Sequence, residues 1–147
     1  MMADLIRVAA VGDLHCTKTS EGVLQPLFAE MAESADIIAL AGDLVDYGLA
    51  DEAHMLAHEV SVALKAKVPV VAVLGNHDFE GGHPEVVTKI LCDAGVTILD
   101  GDAIEIKGVG FAGVKGFCGG FGRRALELSR SIGGGCYIDL GRTGRCC

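Results

Sequence analysis

The chain has 147 residues, half of them hydrophobic, which is enough for one domain with a substantial core. Its formal net charge of −8 argues against nucleic acid as a partner, since a phosphate-backbone footprint is ordinarily a basic patch. The amino terminus has no basic segment followed by a long apolar run, and no stretch approaches the ~20 apolar residues of a membrane span, so a cytoplasmic chain without a membrane partner is expected.

Reading from the amino end, LIRVAAV (5–11), DIIALA (36–41) and VPVVAVL (68–74) are continuous apolar runs, the pattern of strands buried on both faces of a parallel sheet. Helical spacing fills the gaps between them. Val23, Leu24, Leu27, Phe28 and Met31 form one stripe, and Met55, Leu56, Val60, Val62 and Leu64 a looser second one. Strand, helix, strand, helix, strand predicts an α/β sheet with crossover connections. A third helix is predicted over 84–94, with Pro84 in its first turn and Gly95 just past its end. Three shorter strands then follow at 96–99, 103–107 and 109–114, joined by DGD and Lys107-Gly108 turns and expected to be antiparallel, with AIEIK (103–107) alternating as an edge or half-exposed strand would.

Beyond residue 122 the character changes. A helix can start over 123–131, but the glycines, the five arginines at 123, 124, 130, 142 and 145, and the crowded Cys136, Cys146 and Cys147 show little periodicity. The chain therefore divides into residues 1–122 and an atypical stretch, 123–147, expected to be a disordered terminus, the end of a fragment or a frameshifted tail. No CxxC pair occurs among the six cysteines, which fits reduced thiols rather than a structural zinc site.

Each of the three long apolar runs ends in a polar cluster: GDLH (12–15), GDLVD (42–46) and GNHD (75–78). The carboxyl ends of parallel strands lie on one sheet edge, where ligands bind. Asp13, Asp43 and Asn76 are spaced by about one strand–helix unit each, so the clusters should converge. They bring together the carboxylates of Asp13 and Asp43, the amide oxygen of Asn76 and the rings of His15 and His77. A mixed oxygen and nitrogen donor set without thiolate suits zinc, manganese, iron or a similar divalent ion. A single GD after a strand is equally a helix N-cap, and a lone histidine is commonly structural. Three such clusters at three successive strand ends are harder to assign to capping.

In their order and spacing, GDLH, GDLVD and GNHD resemble the GDxH, GDxxD and GNHD/E signatures of the calcineurin-like metallophosphoesterases, over residues 5 to about 122. The glycine-rich GFAGVKGFCGGFGR (110–123) is similar to a stretch in some bacterial and archaeal members. The resemblance implies an α/β/β/α sandwich, here incomplete at its C-terminus, and hydrolysis of a phosphate-ester substrate at a dinuclear centre of two divalent metal ions, Mn, Zn or Fe. It implies Asp13 and His15 on the first ion, Asp43 bridging, Asn76 on the second, and His77 as the acid for the leaving oxygen, oriented by Asp78. Two ions roughly 3.5–4 Å apart clamp a phosphate and acidify the attacking water. Asp46 is either a supporting group of the centre or a helix cap.

The family pattern continues to a further histidine and a GHxH motif, whereas the five histidines here stand at 15, 54, 58, 77 and 83. His54 and His58, four apart within a helix, read as a surface face, and His83, just after GNHDFEGG, as a residue near the substrate or as a loop or helix-start residue. Two expectations result: a metal-dependent phosphoesterase, or a non-catalytic chain that keeps the first half of that fold and binds metal weakly. GFCGGFG (116–122) does not open a helix after a first strand, so a dinucleotide-binding module is disfavoured.

Overall fold

The three long apolar runs become neighbouring parallel strands: β1 (Val8–Val11), β2 (Ile37–Ala41) and β3 (Val70–Val73). This arrangement is taken from a computed structural model of the protein, which describes residues 5–114 and 137–142. The register sets Val8 against Ile37 and Leu40 against Ala72, so β2 runs between β1 and β3. Helix α1 (Gln25–Ser34) connects β1 to β2, and α2 (Ala50–Lys65) connects β2 to β3. Helix α3 (Pro84–Ala94) has its predicted bounds, with Pro84 in the first turn and Gly95 taking the left-handed conformation (φ 108°) that closes the helix.

The strand after α3 corrects the sequence reading. Residues 96–99 were expected in an antiparallel group, but β4 (Thr97–Ile98) pairs parallel with β3 and completes the order β1-β2-β3-β4. Helix α3 is itself a crossover, and a crossover returns the chain in the same direction. The DGD turn then leads out of this sheet into a second one, where β5 (Asp102–Ile106) and β6 (Val109–Val114) form the expected antiparallel hairpin. Its two-residue loop, Lys107 (φ 51°) and Gly108 (φ 79°), has the doubly positive φ of a type I′ turn. Strand β5 is exposed over most of its length, as an edge strand should be. On its other side β6 pairs antiparallel with the backbone of β7 (Tyr137–Arg142). The helix expected over 123–131, the residues flanking β7 and the stretch 115–122 lie outside the described residues.

Because successive strand residues point to opposite faces, the continuous apolar runs serve two cores. Ile38, Leu40, Val70 and Ala72 pack with Phe28, Leu56, Val60, Val87 and Leu91 from the helices. Ile37, Ala39, Val71 and Val73 face Leu99 and Phe111 on the side of the second sheet. The layers are therefore helices, parallel sheet and antiparallel sheet. The sheets approach closely at Gly113, where a side-chain carbon would sit 2.6 Å from Leu99 and from Val73.

Helix α2 departs from its predicted stripe. Glu52 and Glu59 are buried on the same face as Ala53, Leu56, Val60 and Ala63, two acids in a position expected to be apolar. Among the described residues no helix is long and apolar enough to cross a membrane.

Candidate metal centre

The three polar clusters lie side by side because their backbones are hydrogen bonded to one another. The loop after β1 runs along the loop after β2, with Asp13 N–H donating to Gly42 O (3.1 Å), His15 N–H to Asp43 O (3.0 Å) and Cys16 N–H to Leu44 O (3.1 Å). The loop after β3 joins them through side chains. Asp43 Oδ1 accepts the His77 amide at 3.0 Å, and the carboxylate of Asp78 accepts the amides of Leu44, Val45 and Gly75 at 3.1, 2.8 and 2.7 Å.

Asp78 therefore corrects one sequence expectation. Its carboxylate was expected to orient His77, but it is fully buried and occupied by three amides on two loops. Burial pushes its carboxyl above the ordinary range while the three donors pull it back. It fixes the relative position of the loops rather than contacting the histidine ring.

Asp13 (φ 53°), His15 (φ 44°) and Asp43 (φ 48°) all adopt left-handed backbone. Such conformations are uncommon outside glycine and concentrate at functional sites, where the surrounding structure holds them against their cost. Here the interloop amide bonds do so. Gly75 completes the fit, since a side-chain carbon there would fall on the amide and carboxylate of Asp43.

The result is a tight donor cluster. One ligand atom each from Asp13, His15 and Asp43 lies within 4.8 Å of the others, and the same holds for His15, Asp46 and His77. The two rings meet edge to face with centroids 4.5 Å apart. Asn76, next to His77, begins the short 3₁₀ turn His77–Phe79, but its carboxamide makes no capping bond there. Nor do Asp13 and Asp43 cap a helix, because the N-cap positions of α1 and α2 are Leu24 and Leu49. The capping alternative thus fails for all three.

Hydrogen bonding defines which ring nitrogens remain available. His77 Nδ1 is 2.8 Å from the carbonyl oxygen of Asp46, which can only accept, so Nδ1 carries the proton and Nε2 is left for chemistry. His15 Nδ1 lies 3.1 Å from Asp46 Oδ1, which by the same logic leaves His15 Nε2 as a lone-pair donor. Asp46 therefore supports both histidines, one through its side chain and one through its backbone. The sequence left this residue undecided between support and cap; its place three residues after Asp43, with no helix start until Ala50, was the available signal. The Asp46 carbonyl, with the nearby carboxylates of Asp43, Glu80 and Asp46, raises the pKa of His77 above the ordinary imidazole value against the opposing effect of partial burial.

The donor set suits a cation. Among the described residues no lysine or arginine pairs with Asp13, Asp43 or Asp46; Asp46 lies against the rings of His15 and His77 instead, so the clustered carboxylates have no fixed cation among them. Cys16 does not join them; burial pushes its thiol up to about 11 and leaves it inert. His54 and His58 lie exposed on α2, and His83 pairs with Glu85 at the start of α3, all apart from the cluster.

Among protein families, the one described as calcineurin-like phosphoesterase matches residues 6–121 of the chain. None of the curated proteins matches it.

Proposed function

Because the chain belongs to the calcineurin-like phosphoesterase family, we propose that it hydrolyses a phosphate ester with Asp13, His15, Asp43 and Asn76 as ligands of two divalent ions and His77 as the acid for the leaving oxygen. The observation that carries this reading is the cluster of Asp13, His15 and Asp43, held in costly left-handed backbone with their donor atoms within 4.8 Å and, among the described residues, no lysine or arginine paired with them. The mixture of carboxylate, amide and imidazole favours Mn, Zn or Fe. When bound, such ions neutralise phosphoryl charge and make water a better nucleophile at neutral pH.

The remaining steps fall to the chain's own groups. Asp43 has one oxygen on the His77 amide, which leaves its second oxygen free for a metal. In the displacement, water oxygen bonds to phosphorus and gives up a proton to solvent as the bond from phosphorus to the ester oxygen breaks, and the proton on His77 Nε2 passes to the departing oxygen. The Asp46 carbonyl and the nearby carboxylates raise the pKa of this imidazole, which favours the protonated form the step requires. Asp46 keeps the ring from rotating.

A phosphatase assay with a chromogenic monoester and Mn or Zn tests the proposal. Turnover is expected to disappear on chelation and to fall by at least about a hundredfold in Asp43→Ala; activity that survives both changes rules out the two-metal mechanism. A second reading, a chain that binds one ion without turnover, is favoured by the position of His54, His58 and His83 outside the cluster. Metal uptake measured by titration with no hydrolysis of any ester would select it.

A further inference from the structure

The loop that carries Asp46 and the loop that carries His77 meet at two glycines, and the nearest atoms each of them faces there are backbone. A side-chain carbon on Gly48 would lie 2.7 Å from the carbonyl oxygen of Asp78 and 2.9 Å from the amide nitrogen of Gly81. One on Gly81 would fall against the carbonyl of Gly48, with the Tyr47 carbonyl oxygen at 3.0 Å. These distances are shorter than carbon tolerates against backbone, so the loops can lie together only while both positions lack a side chain. Gly48 additionally uses left-handed backbone (φ 68°), whereas Gly81 has ordinary negative-φ backbone and is glycine for space alone.

This seam lies two residues from Asp46 on one side and four from His77 on the other, which are the two ends of the 2.8 Å bond between Asp46 O and His77 Nδ1. The first loop cannot retreat easily. Glu52, buried in the first turn of α2, accepts the amides of Tyr47 (2.9 Å) and Leu49 (3.2 Å) through one oxygen. The second loop is tied down by Asp78. With both sides anchored, a methyl group inserted into the seam has to open the gap next to the His77 ring.

We propose that Gly48 and Gly81 are positioning residues for proton delivery: their backbone contact, backed by Glu52, sets the orientation of His77 toward the leaving oxygen. This rests on the reading of His77 as the acid. The role predicts a selective defect, because a misplaced acid matters most when the departing oxygen is a poor leaving group.

The test compares wild type with Gly81→Ala in two measurements. The first needs no turnover: nitrogen-15 and proton NMR of the His77 ring, in which wild type should show a hydrogen-bonded Nδ1–H and Gly81→Ala should lose it. The second compares Mn-dependent hydrolysis of 4-nitrophenyl phosphate and glycerol 2-phosphate. Gly81→Ala is expected to lower kcat on the alkyl ester by about tenfold or more while changing the nitrophenyl ester by less than about threefold. Gly82→Asn, at a position with open space around it, should leave both measurements unchanged. Glu52→Gln adds no atom to the seam and should reproduce the pattern in weaker form, which keeps the test decisive should Gly81→Ala fail to fold. An unchanged ring signal, or an equal loss on both esters, overturns the proposal. If wild type turns over neither ester, the phosphoesterase reading fails and the ring signal alone decides the seam.

Discussion

Asp46 supports the two histidines through different atoms, so its two contributions can be separated by one substitution. Asp46→Ala removes the carboxylate that lies 3.1 Å from His15 Nδ1 and 4.0 Å from His77 Nδ1, and keeps the carbonyl that is hydrogen bonded to His77. Loss of an outer partner to a ligating histidine commonly lowers metal affinity by about 10- to 100-fold. We expect that loss in a calorimetric Mn titration of Asp46→Ala, with the hydrogen-bonded Nδ1 proton of His77 retained; unchanged affinity would remove Asp46 from the support of His15. At this scale the sequence was legible where chemistry and spacing coincide. Asp13, His15 and Asp43 are identifiable because each follows a buried strand at a similar interval. Asp78 was not, because it is adjacent to His77 in the chain and only the fold shows its carboxylate turned inward to three amides. Nothing in the letters GNHD distinguishes an acid that touches a neighbouring ring from one that ties two loops.

Helix α2 anchors two neighbouring segments through the two acids on its buried face. Glu52 holds the loop that precedes it, while Glu59, one turn past Leu56, reaches the chain entering α1. The Glu59 carboxylate accepts the amides of Gly22 (2.8 Å), Leu24 (2.7 Å) and Gln25 (3.1 Å), and the Gln25 side chain (3.2 Å). Helix α1 lacks a side-chain cap at Leu24, and Glu59 supplies the missing acceptor from another element. Burial raises the pKa of this carboxyl, but the four donors outweigh it and leave the group below its ordinary range. A carboxylate depressed on folding stabilises the protein above its unfolded pKa of about 4.3, and that contribution fades as pH falls through the lower folded value. Glu59→Gln is therefore expected to cost about 2–4 kcal/mol at pH 7, because amide hydrogens would then face amide donors. Urea melts at pH 7 and below pH 4 should show the gap to wild type narrowing in acid; a gap independent of pH would contradict the charged form of Glu59. The looseness of the apolar stripe in this helix was a legible sign that its buried face is not purely apolar. Similarly, β4 was mistaken for an antiparallel strand because two residues carry no periodicity, and its direction follows only from α3 acting as a crossover.

The candidate centre is a property of the whole first sheet, since its proposed ligands come from the ends of three strands that become neighbours only when α1 and α2 cross over. Strand order and helix placement could be inferred from continuous apolar runs alternating with helical stripes. The closeness of the loops could not, because it depends on amides, Asp78 and glycines whose contacts join residues about thirty apart in the chain. This dependence links metal binding to global stability. An unfolded chain scatters Asp13, His15, Asp43 and Asn76 and offers no comparable site, so an ion that binds the folded form stabilises it by RT ln(1 + [M]/Kd), about 2.7 kcal/mol at a hundred times Kd. For a domain of this size 1 kcal/mol moves the melting temperature by about 2–4 °C, so saturating Mn should raise Tm by about 5–10 °C. Screening of the acidic surface would also raise Tm, given a net charge of −8, and two comparisons isolate the site. The rise should persist in 0.15 M salt, where exposed charges are largely screened. It should be absent in Asp43→Ala, which removes only one charge of the acidic surface but takes away the proposed shared ligand of the centre. Equal rises in the two proteins would assign the effect to surface charge and leave the strand-end cluster without a metal.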